Sequence, residues 1–439
     1  MSDRKLFGTD GVRGPVGEKV TPELATALGR AATESAPADR PQVLILRDTR
    51  ESGPMLESAL AAGIAAAGGD ALIGGILPSA AASILVRRHG LDLGIVVSAS
   101  HNPWRDNGIK FFGANGIKLD DETETEIEER LERPSANSAV GRVRTLEGAL
   151  EDYLREVESV FSLDLTGRSV LLDCANGAAF RAGPTAFERF GATVELVAAE
   201  PDGRNINEGC GSTHIDSLAE RLAASDAELG FAFDGDADRV LAVDRAGNVR
   251  DGEEIVAIAA LHLRDSARDF GGAAVTVMTN YGFHTAMGEA GVEVATTKVG
   301  DRHVIEELLK RDWTIGGEQS GHVIWTEFAP TGDGIAAALL VMEALGDRDL
   351  SKVTPFEKLP QRLENVRLPD RSALAGAEAL WAAVESEGSA LEGRGRVLVR
   401  PSGTEPLVRL MVEAPTEGEC EQVLARLTEV ADSEFGRPS

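Results

Sequence analysis

Ser98-Ala99-Ser100-His101-Asn102-Pro103 follows directly on the apolar run Ile95 to Val97. A serine at the C-terminal end of a buried strand stands where ligands gather in α/β sheets. It is not the elbow serine of a hydrolase, because G-x-S-x-G is absent. His101 is next to it in sequence, a poor arrangement for a base that must reach the serine oxygen. Taken alone, the segment reads at least as well as an ordinary strand-end turn. Asp234-Gly235-Asp236-Ala237-Asp238-Arg239 is more pointed. Three carboxylates alternating with small residues on a tight loop make an oxygen-rich site for a hard cation, and without one they would repel each other. An EF-hand needs glycine at the sixth position and glutamate at the twelfth; here Arg239 and Arg245 stand there. Mg²⁺ suits the loop better, since it binds through few carboxylates and completes its shell with phosphate.

Three further loops carry polar chemistry. In Gly316-Gly317-Glu318-Gln319-Ser320-Gly321-His322, glycines frame groups able to bond sugar hydroxyls at close approach. Arg400-Pro401-Ser402-Gly403-Thr404-Glu405-Pro406, followed by Arg409, reads as an anion cradle of backbone donors, hydroxyls and guanidinium forks. Phe7-Gly8-Thr9-Asp10-Gly11-Val12-Arg13-Gly14 is glycine-rich with one arginine, yet it is neither a Walker loop nor G-x-G-x-x-G. A serine, a cation site, a sugar-type loop and a phosphate cradle together need a cleft to gather them.

The elements that must position these loops alternate between short apolar strands and helices, which predicts α/β layers. Strands are expected at 43–46, 71–76, 95–97, 170–173, 193–197, 231–233, 240–243, 274–278 and 292–296. Helices are expected at 55–67, 121–132, 183–190, 253–263 and 283–290, and loops at 134–138 and 246–248. A linker is expected around 359–369, followed by helix 374–387, strands 397–400 and 407–414, and helix 417–435. The pattern predicts three similar α/β domains with mixed sheets plus a smaller α+β C-terminal domain around a central cleft. The expected domains are 1–150, 151–251, 252–362 and 363–439, each with one of the four main loops.

Composition bounds the partners. With 439 residues, 43% hydrophobic and 26% charged, the chain has the balance of a multidomain globular protein. No apolar run approaches the ~20 residues of a membrane span, and Met1 to Gly14 lacks the apolar stretch of a signal peptide. A cytoplasmic protein is expected. Asp+Glu at 72 against Lys+Arg at 44 gives a net charge of −28, which repels nucleic acid and anionic membranes. The acidic excess with scarce lysine suggests adaptation to high salt, where screening weakens self-repulsion. Cys174, Cys210 and Cys420 are far apart and form no CxxC pair, so they read as incidental thiols.

In order, Ser98 to Pro103, Asp234 to Arg239, Gly316 to His322 and Arg400 to Pro406 resemble the four signature loops of the α-D-phosphohexomutases. The resemblance covers essentially the whole chain. It is nearest to the members that act on glucosamine phosphates, through Phe7 to Gly14, Lys298-Val299-Gly300-Asp301-Arg302 leading to Gly317 to His322, Thr331-Gly332-Asp333-Gly334 and Gly395 to Pro406. Trp104 departs from the smaller residue expected after Pro103.

The resemblance implies interconversion of glucosamine 6-phosphate and glucosamine 1-phosphate, with glucose or mannose phosphates as the alternative substrates. Ser100 would carry a phosphoryl group, and one Mg²⁺ would be held by Ser100, Asp234, Asp236 and Asp238. Arg13 and Arg239 would grip the phosphoserine, Lys110 would act as acid/base and His101 would assist orientation. Glu318 and Ser320 would hold sugar hydroxyls beside His322. Arg400, Ser402, Gly403, Thr404 and Arg409 would bind the substrate's own phosphate. A 1,6-bisphosphosugar, both intermediate and activator, would turn end for end between two transfers. Closure of the last domain would exclude water. A phosphatase and a non-catalytic phosphosugar sensor are the competing classes; a monomer and a homodimer both fit.

Overall fold

The computed structural model describes residues 6–8, 10–133, 140–266, 268, 270–402 and 406–436. The chain forms two compact units: one runs to Met278 and resumes over Val292–Thr354, the other takes Thr279–Gly291 and continues from Pro355.

The first unit contains three mixed sheets. β1 (Val12–Pro15), β2 (Gln42–Arg47), β3 (Asp70–Ile76), β4 (Leu93–Val97), β5 (Asp106–Gly113) and β6 (Val143–Thr145) are ordered β1-β5-β4-β2-β3-β6. β2, β3, β4 and β6 run parallel, and β5 and β1 close one edge antiparallel. All five residues of β4 are buried, as expected of a strand covered on both faces, whose sequence is then continuously apolar. Helices Pro22–Ser35 and Gly53–Ala66 supply Leu28, Leu56, Leu60 and Ile64 to the core against Val43 and Ile45.

The second sheet joins β7 (Ser169–Asp173), β8 (Thr193–Val197), β9 (Leu229–Phe233), β10 (Val240–Asp244) and β11 (Val249–Arg250) in the order β11-β10-β9-β7-β8. The third joins β12 (Ala273–Thr276), β13 (Val294–Thr297), β14 (Ile315–Gly317) and β15 (Val323–Trp325) in the order β13-β12-β14-β15.

The second unit is built on an antiparallel sheet of β16 (Gln361–Arg367), β17 (Arg396–Pro401) and β18 (Leu407–Glu413), with β18 central. Helices Glu378–Ala390 and Glu417–Phe435 cover it, burying Leu380, Val423 and Leu427 against Leu410 and Val412. The fold is thus three mixed α/β layers and a smaller α+β unit.

Four expectations are corrected. The expected linker at 359–369 contains β16, whose seven residues bury only Val366 and so read as polar chain. The helix expected from Gly183 starts at Ala179 and carries Pro184 inside it; proline is commoner in a first turn, which misplaced the start. The helix expected at 374–387 splits into a 3₁₀ segment, Arg371–Gly376, and the helix Glu378–Ala390. Helix Tyr281–Glu289 reads as part of the third α/β module but belongs to the second unit. The fully buried Glu413 carboxylate accepts the Tyr281 N–H at 2.9 Å and the Arg396 guanidinium at 2.7 Å. Arg396 also donates to the Thr279 carbonyl at 2.6 Å. The loop expected at 134–138 lies outside the described residues.

Candidate active site

β4 delivers Ser100 into the site. Its φ is +51°, in the left-handed region. For a residue with a Cβ that costs roughly 1–3 kcal/mol and persists only where the surroundings over-determine it. Ser100 is buried, and its Oγ donates to Asp234 Oδ2 at 2.5 Å. Asp234 comes from the loop that follows β9, on another sheet, 134 residues away. A Cβ on Gly235 would stand 2.5 Å from the Ser100 carbonyl oxygen, so only glycine lets the two loops approach this closely. His101 Nδ1 lies 3.3 Å from Ser100 Oγ.

Asp234, Asp236 and Asp238 are buried, and each offers an oxygen within 4.8 Å of the others. Asp236 Oδ2 accepts Ser79 Oγ at 2.6 Å and Lys110 Nζ at 2.7 Å; Asp238 Oδ2 accepts Lys110 at 3.2 Å. Asp236 Oδ1 and Asp238 Oδ1 are buried without a hydrogen-bond partner. Leaving buried carboxylate oxygens unmet is costly, and a hard cation would meet them. The residues therefore fit Mg²⁺.

Lys110 lies on β5 and is buried. It belongs to a ring of six residues of alternating charge. Its Nζ stands 3.1 Å from Asp10 Oδ2, and Asp10 Oδ1 is 2.6 Å from Lys118 Nζ. Lys118 is 2.5 Å from Asp301 Oδ2, which lies 3.6 Å from His322 Nε2. His322 Nδ1 then stands 3.7 Å from Asp238 Oδ1, which returns the ring to Lys110. Burial pulls both lysines down, but the facing carboxylates outweigh it and hold both ammonium groups well above the ordinary lysine range. Burial, with Asp238 and Asp236 beside it, pushes Asp234 well above the usual carboxylate range. Asp238 goes the other way, because Lys110, His322 and Arg239 overcome its burial. His101 is held below the ordinary histidine value by burial and by Arg239 and Arg13.

A cavity of roughly 380 Å³ opens over this centre, and Arg13, His101, Asp238, Arg239, Glu318 and His322 are among its walls. Arg13 pairs with Asp10 and Arg239 Nε lies 3.8 Å from Asp238 Oδ1, while Arg13 Nε and Arg239 Nε are buried without a hydrogen-bond partner. Glu318 Oε1 accepts the Gly300 N–H at 3.0 Å. The polar loop expected from Gly316 starts after Gly317, because both glycines are in β14. Gly321, with φ +91° and a virtual Cβ 2.5 Å from the Val240 carbonyl oxygen, folds the loop against β10. Ser320 is exposed and is not among the residues that line the cavity. Lys110 is beneath the cavity rather than in its wall. Trp104 is half-buried, with the guanidinium carbons of Arg105 and Arg204 at 5.5 and 5.1 Å from its ring centroid.

In the second unit, Arg400 on β17 faces Arg409 on β18 directly across the ladder. Like charges directly opposite are destabilising in a sheet, and among the described residues neither has an acidic partner. Ser402 is buried, and its N–H donates to the Leu407 carbonyl at 2.8 Å. Gly403 and Thr404 lie outside the described residues.

Sequence reasoning passed over Ser79, Asp48, Arg50, Lys118 and Asn207, and quoted Asp10 and Asp301 without a role. A signal existed for Asp48 and Arg50, which follow the end of β2 as Ser100 follows the end of β4.

Phosphoglucomutase/phosphomannomutase family models match the chain in four consecutive pieces. These are α/β/α domain I over residues 4–138, domain II over 151–247, domain III over 251–362 and the C-terminal domain over 363–430. The chain belongs to this family, the α-D-phosphohexomutases, and is an enzyme of the isomerase class that works as an intramolecular phosphotransferase. It is 50% identical over 440 residues to the phosphoglucosamine mutase of Moorella thermoacetica, covering 97% of this chain and 99% of that protein. It is 48% identical to that of Desulforudis audaxviator, covering 97% of each. Among solved structures, a Burkholderia thailandensis phosphoglucomutase/phosphomannomutase family protein superposes with a TM-score of 0.83 at 24% identity, covering 98% of both chains. An Aspergillus fumigatus N-acetylphosphoglucosamine mutase, in complex with GlcNAc-6P and magnesium, gives 0.68 at 18% identity, covering 98% of this chain and 96% of that one. These two likenesses speak for the fold alone.

Proposed function

We propose that the chain interconverts glucosamine 6-phosphate and glucosamine 1-phosphate through a phosphoserine at Ser100 and a 1,6-bisphosphosugar. The observation that carries this reading is the meeting of Ser100 Oγ with Asp234 beside two further buried aspartates under a cavity. The choice of sugar is supported by relatives at 44–50% identity that are phosphoglucosamine mutases. In the first transfer the Oγ–P bond breaks and a bond from phosphorus to the free sugar hydroxyl forms. The hydroxyl loses a proton and Oγ gains one. His101, whose Nδ1 lies 3.3 Å from Ser100 Oγ, and Lys110 are read as the groups that handle these protons. The bisphosphate then turns, and the second transfer reverses the first at the other end, so phosphate is conserved.

Asp234, Asp236 and Asp238, with an oxygen on Ser100, would hold one Mg²⁺. The ion would polarise the phosphoryl group and neutralise its charge. Arg13 and Arg239 bind phosphoryl oxygens, Glu318 and Ser320 take sugar hydroxyls with His322 alongside, and Arg400, Ser402 and Arg409, with Gly403 and Thr404, take the phosphate that is not moving. Glucosamine 1-phosphate formed in this way would feed synthesis of UDP-N-acetylglucosamine. We read the protein as cytoplasmic because phosphosugars do not cross membranes unaided. The net charge of −28 with few lysines supports work at high salt. Among the described residues no helix is long and apolar enough to cross a membrane.

The test compares the 6-phosphates of glucosamine, glucose and mannose side by side, in Mg²⁺ across a salt series. The reading expects the highest kcat/KM for glucosamine 6-phosphate. A preference for glucose or mannose 6-phosphate would move the assignment to the alternative. Steady phosphate release exceeding isomerisation would replace the mutase by a phosphatase.

A further inference from the structure

Arg50 is fully buried, and every one of its N–H groups is used. Nε donates to Asp48 Oδ2 at 2.8 Å, within an ion pair whose two side chains are both 0% exposed. Nη1 donates to the carbonyls of Pro103 and Asp106 at 2.5 and 2.8 Å. Nη2 donates to those of Ser100 and Asn102 at 2.9 and 2.8 Å. One guanidinium therefore holds four carbonyls of the loop that carries the nucleophile. Asp48, its counter-charge, also accepts Ser98 Oγ at 2.6 Å, and Ser98 Oγ accepts the Ser100 N–H at 3.0 Å. From the second sheet's side, Asn207 Nδ2 donates to the same Ser100 and Asn102 carbonyls at 2.9 and 3.1 Å.

A carbonyl oxygen has two lone pairs, and at Ser100 both are taken, by Arg50 and Asn207. The peptide plane between Ser100 and His101 is fixed as a result, since a trans peptide turns as one rigid group. The preceding plane, between Ala99 and Ser100, is locked through the Ser100 N–H, by way of Ser98, to the same Asp48 that neutralises Arg50. These contacts explain how a serine is kept at φ +51° with its Oγ on Asp234.

We infer that Arg50, seconded by Asn207, is a positioning residue for the Ser100 nucleophile. It holds the loop so that Oγ meets the acceptor hydroxyl in line and water does not take its place. The inference rests on the reading of Ser100 as the phosphoryl carrier. Arginine is needed for its planar fork of five donors; a lysine keeps the charge against Asp48 but has three donors on one atom.

The test uses full-length wild type, Arg50→Lys and Asn207→Gly. Glycine tolerates the φ of +59° at position 207 while removing the donor. Each protein is assayed with glucosamine 6-phosphate, Mg²⁺ and catalytic glucose 1,6-bisphosphate for kcat, KM, inorganic phosphate released per turnover and folded fraction. Arg50→Lys is expected to lose about 10²-fold in kcat, with KM within threefold and a raised ratio of phosphate release to isomerisation. Asn207→Gly should move the same quantities in the same direction, by roughly tenfold in kcat. A merely structural role would lower the folded fraction and leave that ratio alone. A folded variant with wild-type kcat and ratio, or a kcat that falls only in step with the folded fraction, overturns the inference. If Arg50→Lys does not fold, Asn207→Gly decides by itself. Wild-type isomerisation in the same assay separates this failure from failure of the functional reading: an inactive wild type sinks both, an active one isolates Arg50.

Discussion

The serine–aspartate centre and the Arg400–Arg409 ladder treat charge in opposite ways. At the centre, Asp10, Lys110, Lys118, Asp301, His322 and Asp238 close on each other in a ring that is buried at Lys110, His322 and Asp238 and half-buried elsewhere, and Ser100 is held in a left-handed conformation. On the ladder, two guanidinium groups face each other across neighbouring strands, with no acidic partner among the described residues. The centre neutralises itself and leaves only selected atoms unmet. The ladder keeps a repulsion that an anionic ligand would relieve. The geometry of the centre is held by internal bonds, whereas the proposed phosphate site on the ladder carries uncompensated charge.

The largest effect should come from the centre. Ser100→Ala is expected to reduce isomerisation by roughly 10³-fold or more, in line with the loss of a nucleophile elsewhere, with glucosamine phosphate binding retained in calorimetry. Retention of full steady-state activity by that variant would end the covalent route. Asp238→Asn removes one carboxylate of the cation site and one neighbour of Lys110. It is expected to weaken Mg²⁺ binding, read by titration calorimetry, and to cut kcat by roughly 10²-fold. Unchanged Mg²⁺ affinity would show that the triple-aspartate loop is not the metal site.

The ladder should answer differently. Arg409→Ala is expected to lower kcat/KM by roughly 10- to 100-fold, mostly through KM, the scale of a hydrogen bond to a charged group. It should leave Tm unchanged or slightly raised, because removing one of two facing like charges relieves strand repulsion. A fall in Tm would mean the pair is structural and the contrast between the two regions false.

The smallest effect concerns stability of the second unit. Burial and nearby Arg396 hold His284 down at about 4, below its ordinary value of 6.5. The folded state thus favours the neutral ring. That contribution is fully present above pH 6.5 and is lost as pH falls toward 4. Hydrogen-exchange protection factors along helix Tyr281–Glu289, corrected for the intrinsic rate at each pH, should fall through this window, and His284→Gln should flatten the dependence. Protection factors that stay constant from pH 7 to pH 4 would contradict it.

Much of the centre was legible because its loops interrupt apolar runs. β4 and β9 are buried from end to end, so the serine and the aspartates stood out where those runs stop. What the centre is tied to was not legible. Ser79 reaches Asp236 across 157 residues and Lys118 reaches Asp301 across 183, and no local pattern encodes such partners. Arg50 looked like any charged residue in a loop, since full burial of a guanidinium depends on carbonyls from another loop. In the second unit the arginines were visible, but their opposition was not. It depends on the register of β17 against β18, which a sequence shows only once both strands are placed. β16 was missed for a related reason, since it buries a single residue and draws its place from pairing with β18.

The most direct test follows one phosphoryl group. Protein carrying labelled phosphate on Ser100 is mixed with glucosamine 6-phosphate and Mg²⁺ on the timescale of one turnover. The account predicts that label leaves Ser100 and appears in the bisphosphosugar at least as fast as steady-state isomerisation. Label that stays on the protein, or emerges as inorganic phosphate while product accumulates, would contradict it.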